Sequence, residues 1–178
     1  MPENKGKWLN YLALSTVILA VCTALSTFKA GGFSSRSILS QSQASNQWSY
    51  YQAKSIKGYL YENQADQFDM TLKTLPPAAS VAVRQDMEKK AEGYRQKIKR
   101  YDEEKVAIQK EAQRLEGVRD DAQRHGKIFG LAVIFLQIAI LLASIAALMK
   151  RPGVWVVGLV VGAVGLVYFA DGFFLFFS

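Results

Sequence analysis

Cysteine and histidine occur once each in this 178-residue chain, as Cys22 and His125, and proline occurs four times. One Cys and one His build no disulfide framework, iron–sulfur cluster or Cys/His zinc site within a single chain. No metal and no cofactor is expected. Charge is also missing from long stretches: residues 9–28, 128–149 and 154–170 hold no Asp, Glu, Lys or Arg. Each approaches the roughly 20 residues that a helix needs to cross a bilayer. The expected class is an all-α membrane protein with three transmembrane helices. Three spans leave too little chain for a separate catalytic domain, which takes about 100–150 residues. No nucleophile–base pair, phosphate loop or metal cluster is legible, so an enzyme is the least expected class.

The remaining middle, residues 29–126, carries seventeen Lys/Arg against thirteen Asp/Glu, a surplus of four positive charges. That surplus is small and acids are interspersed, so nucleic acid is not an expected partner. At the start, Lys5 and Lys7 precede Trp8 and Tyr11, placed as an aromatic belt at the headgroups, and then a long apolar run. The run exceeds the 7–15 residues usual for a cleaved signal and no clean small-x-small site follows it, so a retained anchor is expected. Ser15, Thr16, Thr23, Ser26 and Thr27 can bond back to their own helix carbonyls or to a neighbouring helix. Cys22 reads as a small buried apolar residue.

Two breakers frame the middle: Ala30-Gly31-Gly32-Phe33-Ser34-Ser35, and Thr74-Leu75-Pro76-Pro77. Between and after them, helices are expected at about 37–72 and 79–126, joined by a turn at 73–78 into a long antiparallel, coiled-coil-like hairpin outside the bilayer. The expected domains are therefore residues 1–28, 29–126 and 127–178. The second helix has a seven-residue repeat, Met87, Tyr94, Tyr101, Ile108, Leu115 and Ala122, with Ala91, Ile98 and Ala112 beside it. Lys105 and Arg119 interrupt that second register, as register-setting residues or as long stems snorkelling out. Lys89, Glu103 and Lys110 fall outside the seam and should be exposed. Asp102-Glu103-Glu104 reads as a solvated face, because a calcium loop needs alternating acids and an internal glycine.

The first hairpin helix has only a weak apolar stripe, mixing glutamines and serines with Trp48, Tyr50, Tyr51, Tyr59, Tyr61 and Phe68. Aromatics distributed around a helix cannot all be covered by one antiparallel neighbour. Trp48, Tyr50, Tyr51 and Tyr59 are the candidate contacts for another subunit or protein, with Trp48 the expected hot spot.

The run Ala44-Ser45-Asn46-Gln47-Trp48-Ser49-Tyr50-Tyr51-Gln52-Ala53-Lys54-Ser55-Ile56-Lys57, about twenty residues after the first apolar segment, resembles the signature of a bacterial family known only as a domain of unknown function, the four-three-three-seven group. The layout is similar as well: one membrane helix, this segment, a charged helical region and a C-terminal membrane hairpin. The resemblance implies bacterial origin and architecture, and no activity, substrate or site. Many relatives carry a His-rich N-terminal tail; residues 1–7 contain no His, so no metal role is carried over.

At the far end, the second helix should continue through Arg124-His125-Gly126-Lys127 into the second apolar run without a break. His125 reads as an interfacial residue near Asp121. Lys150-Arg151-Pro152-Gly153 makes a basic turn, and the return helix offers Gly158, Gly162 and Gly165 for close packing against the same chain or another subunit. Asp171 is expected at the far membrane interface, or else buried against a partner, with Phe173–Phe177 along the surface or extending the span.

These features favour a membrane-anchored helical scaffold that self-associates or holds a partner through its hairpin, in the bacterial inner membrane. The alternatives are a small oligomeric transport or channel component, with Asp171, Gln137 and the hydroxyls of the first helix around a polar path, or an accessory subunit of a larger membrane complex. Lys5, Lys7, Lys150 and Arg151 put the N-terminus in the cytoplasm and the hairpin outside; Lys29, Arg36, Arg119 and Arg124 pull the other way.

Overall fold

The structure, a computed structural model, describes residues 4–77 and 79–176, with side chains from Trp8 onward; the side chains of Lys5 and Lys7, and Phe177, lie outside the described residues. All secondary structure among the described residues is helical. The elements are α1 (Asn4–Thr74, 71 residues), α2 (Val81–Met149, 69 residues) and α3 (Pro152–Phe174, 23 residues). Each contains a stretch long and apolar enough to cross a membrane.

Their ends follow from backbone chemistry. Pro76 restricts the residue before it and Pro77 has no N–H to donate, so α1 stops at Thr74. Arg84 caps that end: its Nη2 donates to the carbonyls of Leu75 (3.4 Å) and Pro76 (3.2 Å). The connection closes with Ala79 N–H donating to Pro76 O at 3.0 Å, and α2 opens with Val83 and Arg84 N–H donating to Ser80 O. The second connection turns on Lys150, whose φ is 52°, and on extended Arg151 before Pro152 in the first helical turn. As expected from the absence of proline, α2 runs through Arg124–Lys127 without interruption.

The expected break at Gly31-Gly32 does not occur. No described glycine has a positive φ, and α1 is helical throughout this region. A glycine costs about 1 kcal/mol relative to alanine inside a helix. Aromatic packing beside the glycines offsets that cost: Phe33 stacks on His125 and Phe129 with ring centroids 4.6 and 5.9 Å away.

The chain packs as two compact units, residues 1–39 with 118–178 and residues 40–117.

In the unit of residues 40–117, α1 and α2 lie side by side with opposite chain directions, as shown by the pairs Trp48–Glu116, Lys54–Glu104, Tyr61–Tyr94 and Asp69–Arg95. Ala91, Tyr101, Ile108, Ala112 and Leu115 are buried, Met87, Tyr94 and Ile98 half-buried, and Lys89, Glu103 and Lys110 exposed. Lys105 snorkels: its half-buried stem carries Nζ to Asp102 Oδ1 at 2.8 Å.

In the other unit the repeat continues as Ala122, Phe129, Leu136 and Ala143, with Ala132, Ala139 and Ala146 beside it, none more than 2% exposed. Leu12 packs with Ala143 and Ala146, flanked by Trp8 and Trp155; Leu19 packs with Leu136 and Ala139, flanked by Cys22. The hydroxyls of Ser15, Thr16, Thr23 and Thr27 donate back to their own helix at 2.7–2.9 Å. Ser15 Oγ also accepts from Trp155 Nε1 at 3.2 Å, joining α1 to α3.

Candidate interaction surfaces

The four aromatic contact candidates divide into two pairs. Trp48 is half-buried; its indole N–H donates to Glu116 Oε1 at 2.9 Å and its ring meets Tyr51 edge-on, centroids 5.7 Å apart. Tyr51 is half-buried too. Both are engaged within the unit. Tyr50 and Tyr59 remain 51% and 64% exposed, and Ile56 and Leu60 are 60% and 58% exposed. Ile56 and Leu60 are four residues apart, and Tyr59 is three from Ile56, so these side chains share one side of α1. Opposite them runs a seam that the composition hides: Ala44, Tyr51, Gly58, Ala65 and Leu72, with Gln47, Lys54, Tyr61 and Phe68, all buried or half-buried. Its seven-residue spacing was available in the sequence. Polar Gln47 and Lys54 masked it.

Lys54 shows how a cation occupies that seam. Its ammonium donates to Glu104 and lies over the rings of Tyr50 (5.3 Å) and Tyr101 (4.8 Å). The hydrogen bond between them, reinforced by their charges, raises the Lys54 pKa above its ordinary 10.5 and lowers that of Glu104 below 4.5. Tyr61 stacks between Tyr94 and Tyr101 at 5.6 and 5.7 Å, with Lys97 4.9 Å from its centroid.

The three packing glycines are all buried against the chain's own helices. A Cβ at Gly158 would lie 3.2 Å from Ala139 O and Leu142 Cβ; at Gly162, 3.1 Å from Leu19 Cδ2; at Gly165, 2.9 Å from Leu136 Cγ. Gly172, not singled out beforehand, is as tight, with a Cβ position 2.8 Å from the Phe129 ring. Beside it, Gly172 O lies 2.7 Å from His125 Nδ1, so His125 ties α2 to the end of α3 as well as standing 3.9 Å from Asp121. Asp171 is buried at 2% exposure within this unit, and Gln137 is exposed. Phe173 stands edge-on to Phe129 at 5.0 Å under Lys29, so this part of the aromatic tail packs rather than lying free. Among the described residues no group of three or more His, Cys, Asp or Glu is placed to hold a metal ion.

The family model of a domain of unknown function, DUF4337, matches residues 8–175, nearly the whole chain. The chain belongs to the DUF4337 family. No curated protein and no solved structure matches it. Membership of DUF4337 embraces all three helices and both units, and with them the exposed side of α1 and the glycine face of α3.

Proposed function

We propose that this chain is a bacterial inner-membrane scaffold: three helices cross the bilayer, and a water-facing antiparallel, coiled-coil-like hairpin mediates assembly into a homo-oligomer. Two exposures support it. Leu14, Val17, Val21, Leu25, Ile134, Leu141 and Val160 are apolar and exposed around the first unit, a surface that lipid would cover. The observation that carries the scaffold reading is the exposed set Ile56, Tyr59 and Leu60 on one side of α1, opposite a seam already filled from within. Water-facing aromatics and aliphatics gain from burial in a way that lipid-facing helices do not. The contact role is therefore assigned to Tyr59, Ile56 and Leu60, with Tyr50 exposed at the edge of the seam over Lys54, and not to Trp48 and Tyr51. No catalytic role and no nucleic-acid partner belongs to this reading. A polar transport path has less support, since Asp171 is buried in its unit, Gln137 is exposed and the hydroxyls of Ser15, Thr16, Thr23 and Thr27 donate to their own helix carbonyls, although Ser26 Oγ, expected to do the same, is buried without a partner.

The test is the mass of the particle purified in mild detergent. The wild type should be a multimer of one chain, Ile56→Glu with Leu60→Glu should reduce it toward the monomer, and Trp48→Ala should lower stability while leaving the mass unchanged. A monomeric wild type, or a double variant of unchanged mass, overturns the reading; co-purifying unrelated chains would point to the accessory-subunit alternative.

A further inference from the structure

A cleft of about 630 Å³ opens between α1 and α2 within the first unit, lined by Thr27, Ser34 and Ser37 on one side and Gln123, Gly126 and Lys127 on the other. It lies where charge resumes: Phe28 and Ile128 are the last residues of the two apolar runs, and Lys29 and Lys127 the first charges beyond them. Segments 29–36 and 119–127 hold five Lys/Arg against two Asp. One of those aspartates is committed, since Arg119 Nε donates to Asp120 Oδ1 at 2.7 Å. Lys127 and Arg36 are exposed and form no ion pair among the described residues. Arg124 adjoins Lys127 in a shallow extension of the same face, with Asp120 and Gln123 beside them.

A second observation concerns the polar wall. Ser37 is only 7% exposed and lines the cleft, yet its hydroxyl makes no hydrogen bond with any described residue. The Ser37 Oγ itself stays open to the cleft, so it is free to bond a group held there. The site therefore offers accessible hydroxyl and amide groups beside an uncompensated cation, at the level where apolar surface ends.

We propose that this cleft holds the headgroup of an anionic phospholipid, with the phosphate held by Lys127 and Arg124 and the polar headgroup against Ser34, Ser37 and Gln123. Basic pockets beside membrane helices attract anionic headgroups by this charge logic. A neutral zwitterionic lipid lacks the net charge to reward those cations. The inference rests on the membrane reading above.

The experiment uses the full chain in neutral detergent, titrated with short-chain phosphatidylglycerol, short-chain phosphatidylcholine or inorganic phosphate while the thermal midpoint is read. Phosphatidylglycerol alone should raise the midpoint saturably. Lys127→Gln with Arg124→Gln, both exposed positions, should leave the lipid-free midpoint unchanged and weaken the response roughly tenfold or more. Ser37→Ala, which keeps the charge, should weaken it by a smaller factor. Equal responses to both lipids, a wild-type response in the double variant, or the same shift from inorganic phosphate alone would overturn the assignment. Alkaline carbonate extraction separates the two levels: release of the chain from membranes overturns the membrane reading and this one together, whereas retention without anionic preference overturns only the headgroup site.

Discussion

Gly165→Ala and Gly32→Ala are the same chemical change with opposite expected signs. At Gly32 nothing lies within 4 Å of an added Cβ and the backbone is helical, so the substitution should yield the full helix-propensity gain of about 1 kcal/mol. At Gly165 the added Cβ would stand 2.9 Å from Leu136 Cγ and 3.0 Å from Leu136 Cδ2 and its backbone nitrogen. Leu136 is fully buried, so neither its side chain nor its backbone can retreat without separating α2 from α3. Overpacking of this kind costs about 1–3 kcal/mol, which outweighs the propensity gain and leaves a net loss of up to about 2 kcal/mol. The measurement is reversible unfolding in mixed micelles, comparing both variants with wild type. Leu136→Ala supplies a control: it is destabilising alone by about 2–5 kcal/mol, but in its background Gly165→Ala should lose its penalty, a coupling that a double-mutant cycle reads directly. If Gly165→Ala stabilises as much as Gly32→Ala, the close approach of α2 and α3 is not made. If Gly32→Ala destabilises, α1 is not a continuous helix there.

Two further outcomes are expected. Glu104 has a lowered pKa and Lys54 a raised one, so their contribution is present above the ordinary carboxylate value of 4.5 and below the ordinary lysine value of 10.5. It should be lost as pH falls through the lowered carboxylate value and as pH rises through the raised lysine value. Thermal midpoints followed from neutral pH into acid should fall less steeply in Glu104→Gln than in wild type, and parallel curves would show that the pair does not couple. A single cysteine introduced at exposed Ser80, in a Cys22→Ser background, should react with impermeant reagent added to intact right-side-out vesicles; protection would reverse the proposed sidedness.

Periodicity and composition were enough to read three apolar spans, the connections at Pro76-Pro77 and Pro152, and the seam of α2, because each follows from local chemistry: the desolvation cost of charge, the missing N–H of proline and the repeat of the helix. The seam of α1 was not read, because Gln47, Lys54 and Gly58 occupy positions where apolar residues were sought; only the opposing Glu104 and tyrosines show why a lysine belongs there. Continuity through Gly31-Gly32 was a tertiary matter for the same reason, since local propensity favours a break while Phe33 packed on His125 and Phe129 outweighs it. Tertiary structure also decided which aromatics are free. Trp48 and Tyr59 look alike in sequence, yet one meets Glu116 across the unit and the other faces outward, a difference set by where the second helix lies and not by either residue's own chemistry.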